Sequence, residues 1–112
     1  MTLSAFAHSE AEFAERLAHL LARAQELNDI GMRRLAPNLP GERIEAERLR
    51  RYVRVIKVHR DNEADRSVYA FIDPENGDIY KAESWKKPAP VVRGNLYAPD
   101  NGFGCIDWHG AR

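Results

Sequence analysis

The stretch "SVYAFIDPENGDIYKAE", residues 67–83, decides how the rest of the chain is read. Two runs rich in β-branched and aromatic residues flank "DPENGD". Pro74 presets φ at the front of that turn, and Gly77 accepts the positive φ that closes it. The pattern predicts a β-hairpin and therefore an antiparallel sheet. Upstream, "RYVRVIKVHR" (51–60) has the composition of a preceding strand. The acidic "HRDNEADR" between that strand and "SVYAFI" reads as an exposed hairpin tip. Downstream, "GNLYA" (94–98) and "CIDWH" (105–109) are shorter candidates for a fourth and a fifth strand, separated by the glycine-rich turn "APDNGFG".

In front of the sheet the periodicity changes from two to 3.6. Ser9 and Glu12 have the spacing of a capping box, which predicts a helix start. Phe13, Leu17, Leu20, Leu21, Ala24 and Leu27 then form one apolar stripe, and Gly31 supplies a C-terminal stop. Glu10, Glu15, Arg16, Arg23 and Glu26 belong to the solvated face. Two prolines and a glycine make "MRRLAPNLPGE" a connector. The good helix formers of "ERIEAERLRR" (42–51) predict two or three further helical turns, with Ile44 and Leu49 toward the core. The expected architecture is a single α+β domain over residues 1–112. An amphipathic helix over 9–30 leads into a connector and short helix over 31–50. A small antiparallel sheet of four to five strands, with a Pro/Gly loop, occupies 51–112.

The 112 residues suit one modest core, and 17 basic residues balance 17 acidic ones, so net charge recruits neither nucleic acid nor membrane. With one cysteine, Cys105, no intrachain disulfide can form and a thiol-rich zinc site is excluded. No apolar run reaches the length of a membrane span, and "MTLSAFAHSEAEF" lacks the features of a signal peptide. The expectation is a soluble cytoplasmic protein without a membrane partner. His8, His19, His59 and His109 show no paired spacing for a metal, and Asp61, Glu63 and Asp65 lack the glycine and closing glutamate of a calcium loop. No nucleophile elbow, phosphate loop or zinc-protease motif is present. Cys105, Asp107 and His109 alternate in "CIDWH", but on a strand successive members stand about 6.5–7 Å apart, too far for a Cys–His hydrogen bond. No cofactor, metal or catalytic residue is expected.

Charge is distributed unevenly. Residues 31–60 hold nine basic residues, Arg50, Arg51 and Arg54 among them, against three acidic ones. A second basic cluster, Lys81, Lys86, Lys87 and Arg93, surrounds Trp85. Arginine forks suit phosphate oxygens, and an aromatic beside basic residues suits base stacking. The two clusters are expected to share a surface that binds nucleic acid or a nucleoprotein. The alternative for the same residues is a solvated face with helical pairs such as Glu47 with Arg51, and a tryptophan that fills the core.

The block "VYAFIDPENGDIYKAESWKKPAPVVRGN" contains Lys81, Ala82, Ser84, Trp85, Lys86, Pro88, Ala89, Arg93, Gly94 and Asn95 in the order Lys-Ala-x-Ser-Trp-Lys-x-Pro-Ala and Arg-Gly-Asn. Residues 68–110 thereby resemble small uncharacterised proteins of tailed bacteriophages. The resemblance implies a phage setting and brings no activity with it. Within the block, Pro88, Pro90, Gly94 and Asn95 have architectural roles, and Lys81, Lys86, Lys87 and Arg93 are the residues available for recognition. The expected function is that of a small non-enzymatic phage accessory protein binding nucleic acid through its basic clusters. A second expectation is a protein-binding role, as a virion component, a homo-oligomer or an inhibitor of a host defence complex such as an anti-CRISPR. An enzyme built on Cys105, Asp107 and His109 is the third.

Overall fold

The computed structural model describes residues 9–112. One helix, α1 (Glu10–Leu35), packs across an antiparallel sheet of five strands: β1 (Glu42–Arg48), β2 (Val53–His59), β3 (Asn62–Ile72), β4 (Asp78–Ala82) and β5 (Pro88–Asn95). A single 3-10 turn, Phe103–Cys105, follows. The order across the sheet is the order along the chain, so every strand pairs with its sequence neighbours. This is the α+β arrangement that the hairpin and the amphipathic stripe predict.

The helix starts as its sequence requires. Ser9 Oγ accepts from the Glu12 N–H at 3.1 Å, and the Glu12 carboxylate accepts from the Ser9 N–H at 3.2 Å. It does not stop at Gly31. The helix runs on to Leu35 and ends ahead of Pro37, which disfavours helical geometry at Ala36. Gly31 is a buried interior position, where a Cβ would lie 2.7 Å from the Trp108 ring. Close approach of that indole, and not chain termination, is what calls for glycine here.

The short helix expected over 42–51 is a strand. Pairing with β2 overrides the helix propensity of "ERIEAERLRR", a weak prior beside a completed ladder. Gln25 of α1 secures this edge strand: its Oε1 accepts from the Ile44 N–H at 2.8 Å and its Nε2 donates to the Glu42 carbonyl at 2.9 Å. Leu20, Ala24, Ile44, Val53, Val55, Ala70, Ile72, Ile79 and Leu96 form the core between helix and sheet. A bulge on β3 lets Val55 face Ala70 and Ile56 face Val68, so Tyr69 has no partner in the register and joins Ala70 in that core. The Tyr69 hydroxyl donates to the Asp107 carbonyl at 2.5 Å.

The C-terminal third differs most from the sequence reading. "KPAPVVRGN" is no loop: it forms edge strand β5, where Pro88 and Pro90 are tolerated because β5 pairs on one side with β4 alone. "GNLYA" contributes only its first two residues to that strand. In "CIDWH" a lone bridge between Ile106 and Ala111 replaces a strand. Local side-chain bonds wind this segment: Asp100 accepts from the Gly102 and Gly104 amides, and Asp107 from those of His109 and Gly110.

Candidate functional site

The sheet face turned away from α1 carries Arg54, Ile56, Val58, Phe71 and Tyr80, by the alternation of the strands and their register. Ile56, Val58 and Phe71 are buried although no helix covers them. Aromatic rings and paired charges occupy this side instead, with Tyr52 against Phe71. The ring of Tyr52 stands edge-on to those of Phe71 and Tyr80, each with centroids 6.1 Å apart, and the Arg51 guanidinium lies 4.7 Å from the Tyr52 ring centre. Arg51 also holds the buried Asp73 carboxylate through two bonds of 2.9 and 2.8 Å. That fork keeps the Asp73 carboxyl below its usual range and raises the Arg51 guanidinium.

Trp85 sits in the 83–87 turn that joins β4 to β5. The turn closes through bonds from the Glu83 and Ser84 amides to the Lys87 carbonyl and through an ion pair of Lys87 with Glu83 at 2.9 Å. Beneath the indole lies Arg54, whose guanidinium carbon is 4.1 Å from the ring centre. Arg54 Nε donates to Glu47 at 2.6 Å and Nη1 donates to the Trp85 carbonyl at 2.8 Å. The Arg54 side chain is thus 12% exposed, whereas Trp85 remains 38% exposed. Trp85 neither fills the core nor hangs free: it roofs an ion pair. Val92, paired with Tyr80, extends this face along β5 as an exposed apolar residue, and its neighbour Val91 is exposed as well.

Of the residues singled out from sequence, the structure brings Arg54 into contact with Trp85, whose turn also holds Lys86 and Lys87, and places Arg50, Arg51 and Arg93 elsewhere. Glu47 pairs with Arg54 across the β1–β2 ladder, not with Arg51 along a helix, because β1 is extended. Arg50 and Arg51 border a cleft beside the start of α1. Arg93 borders a shallow hollow with Asp100, Cys105 and Arg112. Lys81 and Lys86 are exposed. Part of the basic middle is also paired: Arg43 binds Glu45 and Glu63, and Lys57 lies 3.7 Å from Glu42. Sequence reasoning missed Glu47, Tyr52, Tyr80, Val91 and Val92. The hairpin register places Tyr80 against Phe71 and was within reach; the Glu47–Arg54 pair depends on reading β1 as a strand.

The Cys105 thiol donates to the Gly102 carbonyl at 3.2 Å, and burial raises its pKa. Its neighbours in "CIDWH" are engaged locally, with Asp107 capping the turn and the His109 ring 3.9 Å from that of Trp108. Among the described residues no group of three or more His, Cys, Asp or Glu is placed to hold a metal ion. No described helix is long and apolar enough to cross a membrane.

A model for a family of unknown function (DUF7717) matches residues 6–112. No curated protein and no solved structure matches the chain.

Proposed function

The chain belongs to the DUF7717 family of unknown function, and we propose that it is a non-enzymatic protein-binding module whose contact surface is the Trp85 roof with the adjoining β5 strip. The observation that carries this reading is a partly exposed tryptophan seated on a partly buried arginine–glutamate pair, on the face where Val92 is also exposed. Aromatic and arginine side chains are enriched at interface cores, and a ring already fixed by a cation and a closed turn loses little freedom on docking. The resemblance of residues 68–110 to small bacteriophage proteins points to a phage or host protein as the partner. Inhibition of a host defence complex is one such role.

The test compares the wild-type chain with Trp85→Ala and Val92→Asp in capture from lysate of a bacterial host, alongside light scattering of each protein alone. A defined partner, or a self-associated dimer, that is present with wild type and lost with both folded variants supports the proposal. Retention of the same partner by both variants overturns it.

Nucleic acid is the second reading, favoured by the exposure of Trp85 beside Lys81 and Lys86. It is weakened by the ion pairs that occupy Arg51, Arg54 and Lys87. Fluorescence anisotropy with single- and double-stranded oligonucleotides at two salt concentrations separates the two. Steeply salt-dependent binding at about 10 μM or tighter favours nucleic acid.

A further inference from the structure

On the opposite side of the sheet a cleft of about 720 Å³ opens between the first turns of α1 and the β1–β2 end. It lies apart from the Trp85 surface. Buried Phe13 and Val53 form its floor, with Leu17 above them. Ala14 on the helix and Ala46 on β1 form facing walls, and both are exposed. The volume falls within the range of small-molecule sites, about 300–1,000 Å³.

The mouth is not symmetrical. Arg48, Arg50 and Arg51 come from one side, the β1–β2 turn, while Glu10 and Glu75 stand on α1 and in the β3–β4 turn. Arg51 is held by Asp73. The Arg48 and Arg50 guanidinium groups make no ion pair or hydrogen bond among the described residues. Two free guanidinium groups therefore stand at one rim of an apolar trough. A guanidinium fork matches a carboxylate or phosphate, and the trough beside it matches a hydrocarbon body.

We infer that this cleft binds a small amphipathic anion, with its apolar body against Phe13, Ala14, Leu17 and Ala46 and its acidic head at Arg48 and Arg50. Decanoate, used below its micelle concentration, is the probe, with decanol and decyltrimethylammonium as its neutral and cationic counterparts. Titrations are followed by amide chemical shifts of the isotope-labelled protein. Decanoate should give saturable shifts centred on Ala14, Leu17, Ala46 and Val53, and decyltrimethylammonium should bind at least about tenfold more weakly, as expected when a charged hydrogen bond is lost. The double variant Arg48→Ala/Arg50→Ala should lose decanoate affinity by a similar factor and leave decanol unchanged. Ala46→Phe, which fills the trough, should abolish binding of all three while the melting curve shows the chain folded. Absence of saturable shifts in the wild-type protein, equal affinity for the cationic probe, or decanoate binding unaffected by the arginine changes would each overturn the inference.

Discussion

The two faces of the sheet bury apolar residues by different means. Toward α1, Leu20, Ala24, Val53, Val55 and Ile72 pack as an aliphatic layer beneath a helix. On the far face, Phe71, Ile56 and Val58 are equally buried, yet Phe71 packs against the Tyr52 ring, and the arginine-based pairs with Asp73 and Glu47 stand in place of a helix. The first solution relies on aliphatic packing, interrupted only at the cleft beside the start of the helix. The second leaves rings and guanidinium groups partly at the surface, where each can contact something else.

Substitutions can break the contrast. Phe71→Ala should cost about 3–5 kcal/mol, because the ring is fully buried and its removal leaves a cavity under Tyr52. Urea unfolding measures this, and a loss below about 1 kcal/mol would mean that the far face is not packed as a second core. Arg51→Ala should cost about 1–3 kcal/mol, since Asp73, 3% exposed at its side chain, loses a charged partner. The pH dependence has a definite sign. The folded Asp73 carboxyl is held below its usual range, so the pair stabilises the fold above the unfolded value of about 3.9 and that contribution is lost as pH falls through the lower folded value. The stability gap between wild type and Arg51→Ala should therefore narrow below about pH 4, as read from thermal melts at stepped pH.

Smaller effects sharpen the same comparison. Trp85→Ala should cost only about 1 kcal/mol, the scale of an exposed cation–π contact, far below the loss expected for a core tryptophan. A chain that unfolds on this change would show that the roof over Arg54 is structural first. At the bottom of the scale, Lys81→Ala combined with Lys86→Ala should leave the melting midpoint unmoved, since both side chains are exposed. Circular dichroism melts check this.

What the sequence reveals follows from how local the cause is. The Ser9–Glu12 box and the "DPENGD" turn are determined by residues within four positions of each other, and both stand in the structure as read. Gly31 is different: its cause is Trp108, distant along the chain, so a helix-ending glycine and a glycine under an indole look alike in sequence. In β1 the alternation of Arg43, Glu45 and Glu47 with Ile44 and Ala46 was a visible period of two. Helix propensity masked it, and the deciding partners, Gln25 and β2, lie outside the segment. The candidate surface was half legible. Trp85 and its basic neighbours stood out, while the placement of Arg54 beneath the indole and the separation of Arg50 and Arg93 from it required the strand register.

The contact of Trp108 with Gly31 also ties the helix to a segment far along the chain. Each hairpin of the meander closes a short loop and can form within its own stretch of chain. The C-terminal half of α1 cannot reach its final packing until residues 105–111 arrive. Trp108 must lie against Gly31, Asp107 must accept from Tyr69, and the Trp108 carbonyl must take the Lys57 ammonium at 3.2 Å. The hairpins thus rest on contacts of short sequence separation, whereas the seating of the helix rests on contacts of long separation.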